Sequence, residues 1–383
     1  MLLSTEFAAL KTKLEAMSLE RRLEIPRALD FCSNDYLGFS TSEALRASFQ
    51  EKIKNFPLGS TGSRLINGQS QVYVDLENAL AERSRAEMAL VFPNAYMANL
   101  ALFGALGKMK AHFFSDSRNH ASIIDGMRLS GATKTIFPHS DLDALSLALE
   151  SAPLGKLKFV VVESIYSMGG DLAPLEDLLR VCEKFDAHLI VDEAHATGFF
   201  GDRGSGLGEA LAQRIFCRVH AAGKALGVAG AWVSGSQNLK DLMVNFSRPL
   251  IYSTGMSYPQ LLLLESALEY WDKAGSQACE QAQKKLSLLR SLLKLPQEET
   301  STDFEGEEQP CSPVIPLLIG SNDKTLNVEA KLLQLGFHVK AIRPPTVPAG
   351  EGLLRLTVPG QRLESEVSAF AEAVGRVLKE VNL

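Results

Sequence analysis

From residue 111 to residue 192 the chain alternates apolar runs with helical stretches at short, regular intervals. Runs at 111–115, 133–137, 157–163 and 188–192 are separated by segments of helical spacing that begin at His120, at 141 and at 173. Strands that are apolar from end to end are buried on both faces, and strands joined by helices run parallel. This stretch predicts a largely parallel sheet covered on both sides, with any ligand beyond the carboxyl ends of its strands. Runs at 88–92, 215–219, 229–235 and 249–253 read as further strands. With 383 residues, 46% of them hydrophobic, there is enough apolar side chain for one large core and a smaller second one.

On either side of this alternation the pattern changes. An N-terminal helix carries Leu3, Phe7, Leu10, Leu14 and Met17 at helical spacing among acids and lysines, unlike the unbroken apolar core of a signal peptide. A short strand in 30–38 runs into a loop, a helix covers about 42–55, and an amphipathic helix passes through Val72, Leu76 and Leu80. The turn Pro93-Asn94-Ala95-Tyr96 follows a strand and opens a helix, the arrangement of a phosphate cradle made from backbone N–H groups. After a long helix at about 259–293, the polar stretch 297–309 reads as a loop. Strands near 314–318, 337–342 and 353–358 with helices at 322–335 and 362–380 then form a compact α+β unit. A net charge of −6 without a basic run gives no footprint for nucleic acid or an anionic membrane, which leaves small molecules and copies of the chain as expected partners. Five scattered cysteines, without CxxC spacing, fit inert thiols in a reducing cytoplasm better than disulfides or a metal site.

Two short stretches carry chemistry. In His220-Ala221-Ala222-Gly223-Lys224-Ala225-Leu226-Gly227 a single lysine stands among small residues directly after an apolar run. A lysine amine is nucleophilic only when deprotonated, and small neighbours leave room for a covalently attached cofactor. Alone, a lysine between glycines is more often a solvated turn. Upstream, the strand ending in Asp192 continues as Glu193-Ala194-His195. An acid at a strand's carboxyl end with a histidine three residues on suits a pyridinium partner and a donor to a phenolic oxygen. Lys224 as a Schiff-base lysine and Asp192 together point to pyridoxal 5'-phosphate.

Several motifs then occur in a definite order: SNDYLG (33–38), GSTGSR (59–64), NHASIIDG (119–126), SMGGDLAPL (167–175), VDEAHATGFFGDRGSGLGE (191–209), GKALGVAGAW (223–232), RPLIYST (248–254) and IRPPTVPAGEGLLRLT (342–357). From about Phe31 to the C-terminus the chain resembles the α-oxoamine synthases, pyridoxal-phosphate enzymes of the aspartate-aminotransferase fold, and IRPPTVPAG resembles their oxononanoate-forming branch. The resemblance implies an α/β protein of fold type I. Its large domain holds a mostly parallel seven-stranded sheet, and a smaller C-terminal α+β domain follows. The expected division is 1–45 for an N-terminal segment, 46–270 for the cofactor domain and 271–383 for the small domain.

It also implies a decarboxylating condensation of L-alanine with a pimeloyl thioester, on coenzyme A or acyl carrier protein, by a homodimer with shared sites. Matched residue by residue, Lys224 holds the cofactor, Asp192 its pyridine nitrogen and His195 its phenolic oxygen. His120 stacks on the ring, Ser167 contacts it, and the backbone at Ala95 and Tyr96 takes the phosphate. Ser253 or Thr254 reaches the phosphate of the other subunit. Arg355 grips the amino-acid carboxylate, although an isolated LRL fits a surface arginine on an edge strand equally well. Asn34 lies near the bound amino acid and Thr346 on the acyl side. The arginine for the acyl carboxylate falls at Arg22 or Arg21, with a solvated helix-end arginine equally open. One departure stands out: the family's threonine three residues before the lysine is Ala221 here. That removes one hydrogen bond to an anion, about 1.5–3 kcal/mol unless His220 beside it substitutes. Two rival readings are a sister synthase with another amino acid or acyl group, such as a glycine C-acetyltransferase, and a paralogue that binds cofactor with weakened catalysis.

Overall fold

A computed structural model describes residues 2–21, 23, 25, 28–295 and 311–382. The stretch read as a loop at 297–309, like Arg22, lies outside the described residues. Strand β1 (Leu29–Asp30) precedes the seven strands of the main sheet: β2 (Met88–Phe92), β3 (Ala111–Asp116), β4 (Thr133–Phe137), β5 (Leu157–Glu163), β6 (Ala187–Asp192), β7 (Cys217–Ala221) and β8 (Ala231–Gly235). Their order across the sheet is β2-β8-β7-β6-β5-β3-β4. Pairing is parallel from β7 to β4, and β8 runs antiparallel to both of its neighbours.

Alternation along each strand feeds two cores. Val161, Ile190 and Val219 face one layer, with the helix Ala95–Leu106 packed over them. Val160, Val162, Leu189 and Val191 face the other, under the helix Leu175–Lys184. Burial on both faces explains why these strands read as unbroken apolar runs. Three of these strands close on an acid: Asp116, Glu163 and Asp192 terminate β3, β5 and β6.

One strand expectation is corrected. The run at 249–253 is not a strand; Arg248–Ile251 form a short helix with a proline at its start. Pro249 lacks the N–H a ladder needs and is tolerated in a first helical turn, so its position argued against a strand from the outset.

The C-terminal unit holds β9 (Ile315–Gly320), β10 (Phe337–His338), β11 (Lys340–Ile342) and β12 (Gly352–Leu356). An antiparallel sheet of order β11-β12-β9 makes β12 its central strand. The N-terminal segment belongs to this unit structurally. β1 pairs with β10, and Phe31 stacks on Phe370 with ring centroids 4.0 Å apart. Thr357 donates its amide to Phe31 O and its hydroxyl to Ser33 O. The Ser33–Gly38 loop is thereby carried from the small unit to the carboxyl edge of the large sheet. Among the described residues no helix is long and apolar enough to cross a membrane.

Candidate active site

The polar strand ends and the loops that follow them converge on Lys224. This residue follows β7 in a turn closed by Gly227 N–H donating to Lys224 O at 2.9 Å. Gly227 has φ +67°, and the backbone of Phe39 and Ser40 packs where a side chain would stand, so this turn excludes larger residues. The Lys224 amine is desolvated by its surroundings, which pulls its pKa down to about 8 against the opposing pull of Asp192 and Glu163. A useful fraction of it is neutral near physiological pH.

Asp192, buried at the end of β6, accepts Asn99 Nδ2 at 2.8 Å and the Ala194 amide at 2.9 Å. Its neighbour Glu193 points away and holds the following loop, accepting Ser164 Oγ at 2.6 Å and the Gly208 amide at 2.7 Å. Of this acidic pair, one member therefore faces the site and the other braces it. Asn99 Nδ2 also reaches Ser122 Oγ at 2.9 Å, and Ser122 Oγ lies 2.8 Å from His120 Nδ1. His120 is the N-cap of the helix Ala121–Ser130, accepting the Ser122 amide, and its ring is solvent-exposed at the site. The surrounding protein still lowers its pKa, and Lys224 adds to the shift. Cap and site residue are here the same histidine.

His195 is buried and its pKa lies well below the ordinary value, first through desolvation and then through Lys224 and Arg355, so its ring is neutral. Its Nδ1 lies 2.8 Å from the Tyr36 hydroxyl, which also stands 3.1 Å from Asn34 Oδ1. Asn34 Oδ1 already accepts Arg355 Nη1 at 2.9 Å. The single Tyr36 proton goes either to Asn34 Oδ1 or to His195 Nδ1, and in the second arrangement the opposite nitrogen Nε2 carries the N–H that a phenolic oxygen needs.

Arg355 sits in the central strand β12, not on an edge, and is buried. Its Nε donates to Ser167 O at 2.5 Å, while its Nη2 is buried with no partner. Ala95 and Tyr96 open the helix Ala95–Leu106, whose first N–H groups have no acceptor within the helix. The Tyr96 hydroxyl bonds Asp125.

Other expected residues stand apart in the single chain. Ser253 donates to Pro249 O and Thr254 is exposed. Thr346 is exposed on the turn after Arg343. Ala221 is buried at the end of β7. His220 does not replace the missing hydroxyl. Strand alternation turns it to the other face, where it stacks on Trp232 with centroids 4.7 Å apart and bonds Thr197 and Ser234.

Three residues at the centre were not singled out from the sequence: Asn99, Glu163 and Tyr36. Each left a signal. Asn99 is the lone strongly polar side chain after the first turn of an otherwise apolar helix, and Glu163 ends an apolar strand just as Asp192 does. Tyr36 lay inside a motif already recognised.

The family model for aminotransferase class I and II matches residues 26–374. The 8-amino-7-oxononanoate synthase of Bordetella petrii is 38% identical over 97% of this chain and 97% of that protein. The chain belongs to this family. The corresponding synthase of a Janthinobacterium species is 37% identical over 94% of this chain and 95% of its own. A serine palmitoyltransferase solved with PLP superposes with a TM-score of 0.86, at 26% identity, covering 100% of both chains. The chain is a PLP-dependent acyltransferase, an α-oxoamine synthase of the kind found in biotin biosynthesis. Family and neighbour both imply pyridoxal phosphate. The residues present fit it: a desolvated amine, a buried carboxylate fixed by two donors, a neutral histidine, a helix N-terminus, and an arginine nitrogen buried without a partner.

Proposed function

We propose that the enzyme condenses L-alanine with a pimeloyl thioester, on coenzyme A or acyl carrier protein, releasing thiol and carbon dioxide and giving 8-amino-7-oxononanoate. Bound pyridoxal 5'-phosphate supplies a carbonyl for Schiff-base chemistry and an electron sink for the carbanion at alanine Cα. Lys224 is the residue to which it attaches, and its amine then serves as general base for the Cα proton. Asp192, fixed by Asn99 and the Ala194 amide, holds a cationic ring nitrogen, and His195 donates to the phenolic oxygen. His120 covers the ring face, with Ser167 beside it. The Ala95 and Tyr96 amides hold the phosphate at the start of their helix.

The observation that carries this reading is Arg355 Nη2, buried without a partner beside the lysine and aspartate. It is the donor that an amino-acid carboxylate completes. The new bond forms between alanine Cα and the thioester carbonyl carbon, the C–S bond breaks, and the thiolate takes a proton. The carboxyl group leaves as carbon dioxide, and the proton held by Lys224 returns to Cα. Asn34 lies beside the bound amino acid. Thr346 faces the acyl group, and Arg22 or Arg21 is the candidate for its carboxylate, with a solvated helix-end arginine as the alternative. Two copies form a dimer in which Ser253 or Thr254 reaches the partner's phosphate. The cofactor lies on the 46–270 domain, with 271–383 as the small domain.

The test is the visible spectrum of cofactor-loaded protein on addition of L-alanine and then pimeloyl-coenzyme A. A change with alanine, followed by equal release of thiol and carbon dioxide, supports the reading. A response to glycine or serine instead of alanine replaces it with a sister synthase. Ala221 favours a second reading, a paralogue with weakened cofactor binding; absence of any lysine-linked absorbance at saturating cofactor would establish that one.

A further inference from the structure

Ser122 takes no part in the chemistry above, yet its buried hydroxyl joins two residues that do. Asn99 Nδ2 stands 2.9 Å from Ser122 Oγ and 2.8 Å from Asp192 Oδ2. A carboxylate only accepts, so Asp192 decides which end of the Asn99 amide faces it. It must be the NH2 group, whose two protons then serve Asp192 and Ser122. The reverse orientation would set two oxygens against each other. Asn99 Oδ1 is left buried without a partner, so this arrangement is kept for the two donors on Nδ2 and despite the unmet acceptor.

With Asn99 donating to it, the Ser122 hydroxyl has its own proton for its other neighbour, His120 Nδ1, 2.8 Å away. The Ser122 backbone amide donates to the same nitrogen at 3.2 Å, because His120 caps the helix Ala121–Ser130. Two donors aimed at one ring nitrogen require it to be unprotonated. The proton of the neutral ring is therefore on Nε2, which makes no hydrogen bond of its own among the described residues. Burial lowers the His120 pKa, Asp192 opposes the fall and Lys224 adds to it, in keeping with a neutral ring. The two helices that carry these side chains are in close contact. At Gly126 an added Cβ would stand 3.0 Å from Asn99 O, so Asn99 and Ser122 meet where the helices have no room to slide.

We propose that Ser122 is a positioning residue for the reaction: its hydroxyl holds the His120 ring in one orientation and one tautomer, leaving Nε2–H as a donor for what binds at the site. The capping amide alone, at 3.2 Å, is a single long bond about which the ring can turn. A second donor sharing the in-plane lone pair of Nδ1 fixes the ring plane. The same chain ends on a carboxylate, running Asp192, Asn99, Ser122, His120. One relay thus sets both the histidine that covers the cofactor ring and the acid that meets its nitrogen. The inference rests on the α-oxoamine synthase reading of the site, and it names the hydroxyl through which those two residues are joined.

The experiment compares Ser122→Ala and Ser122→Thr with wild type in the cofactor-loaded enzyme, with isotope-labelled histidine rings. The chain has seven histidines, and His120→Asn, which keeps a good helix cap, identifies the His120 signal by its loss. Magnetic resonance of the ring nitrogens then gives the tautomer at neutral pH and the pH midpoint of ring protonation. Spectral titration gives the amino-acid dissociation constant, with KM and kcat beside it. The amino acid is whichever of alanine, glycine or serine perturbs the wild-type spectrum, so a failure of the alanine reading leaves the histidine signals readable. Wild type should show the proton on Nε2. Ser122→Ala removes one of the two donors that protonation of Nδ1 must displace. Proton affinity and the amino-acid dissociation constant should each rise about three- to tenfold, the worth of one buried hydrogen bond. Ser122→Thr keeps the hydroxyl and should match wild type in both. A wild-type ring with its proton on Nδ1 overturns the proposal, as does a threonine variant that behaves like alanine. An unchanged midpoint in Ser122→Ala overturns it even if amino-acid binding weakens, because a merely structural role would loosen the helix without touching the ring. If Ser122→Thr does not fold, the Ser122→Ala midpoint decides.

Discussion

The two ends of the proposed cofactor site are built differently. At the ring and carboxylate end the chain supplies its own network: Asn99 holds Asp192, Ser122 joins Asn99 to His120, and Tyr36 and Asn34 connect His195 to Arg355. At the phosphate end it offers the start of one helix and, at the close of β7, the buried methyl group of Ala221. The first end is preorganised by side chains that hold one another in place before any ligand arrives. The second relies on backbone dipoles, which attract any anion and discriminate little. On the proposed reading, substrate geometry and cofactor retention are governed by separate residues, and substitutions should separate them.

Lys224→Ala gives the largest effect. Turnover should fall by about three orders of magnitude or more, as expected when nucleophile and base are lost together, and the lysine-linked absorbance should disappear. Substantial turnover in a cofactor-loaded variant would remove the lysine from the comparison. Arg355→Ala tests the preorganised end. The amino-acid KM should rise about 10- to 100-fold, the worth of a charge-assisted hydrogen bond, while cofactor affinity stays near wild type. A parallel loss of cofactor would show that the two ends are not independent. Ala221→Thr tests the other end. A hydroxyl at this position should tighten cofactor binding about tenfold in equilibrium titration, with KM for the amino acid unchanged. No gain would mean that backbone alone saturates the phosphate site.

The smallest effect lies outside the site. His139 bridges Asp116 at 3.0 Å and Asp171 at 2.6 Å, tying the end of β3 to the loop after Ser167. Although burial opposes the charge, its bonds to the two carboxylates raise its pKa to about 9. A raised folded-state pKa stabilises fully below the unfolded value near 6.5 and is lost as pH climbs through 9. The unfolding free energy should therefore fall between pH 7 and pH 10 by more in wild type than in His139→Gln, a difference on the order of 1–3 kcal/mol in denaturant titrations. Equal slopes would place the ion pair among those that contribute nothing.

The sheet was legible because central strands buried on both faces read as apolar runs, and three strand ends were legible because an acid closes each run, at Asp116, Glu163 and Asp192. Asp192 was singled out as an acid at a strand end with His195 three residues on, and Glu163 ends its strand in the same way without such a histidine. It went unread because a cofactor of this kind has one cationic nitrogen and so calls for one acid. Pro249 misled for a different reason: the apolar stretch around it matches a strand by composition, and the missing N–H outweighs that match. Arg355 could not be told from an edge residue because centrality in a sheet depends on which strand lies on either side, and no local spacing encodes that. His220 was offered for the phosphate because it adjoins Ala221 in sequence, yet adjacent residues on a strand face opposite ways.

The pairing of the Ser33–Gly38 loop with the end of the chain sets an order of assembly. Ser33 and Thr357, which share a hydrogen bond, are 324 residues apart. On a ribosome the loop emerges well before its partner strand is made. The helices and strands of the main sheet have their neighbours available long before. A nascent chain can form the floor of the proposed site early, but Arg355 and the surroundings of Asn34 come together only once the strands of the C-terminal unit have emerged. The side of the site that faces the amino acid on this reading is in this sense the late part of the molecule, made by joining what synthesis had set far apart.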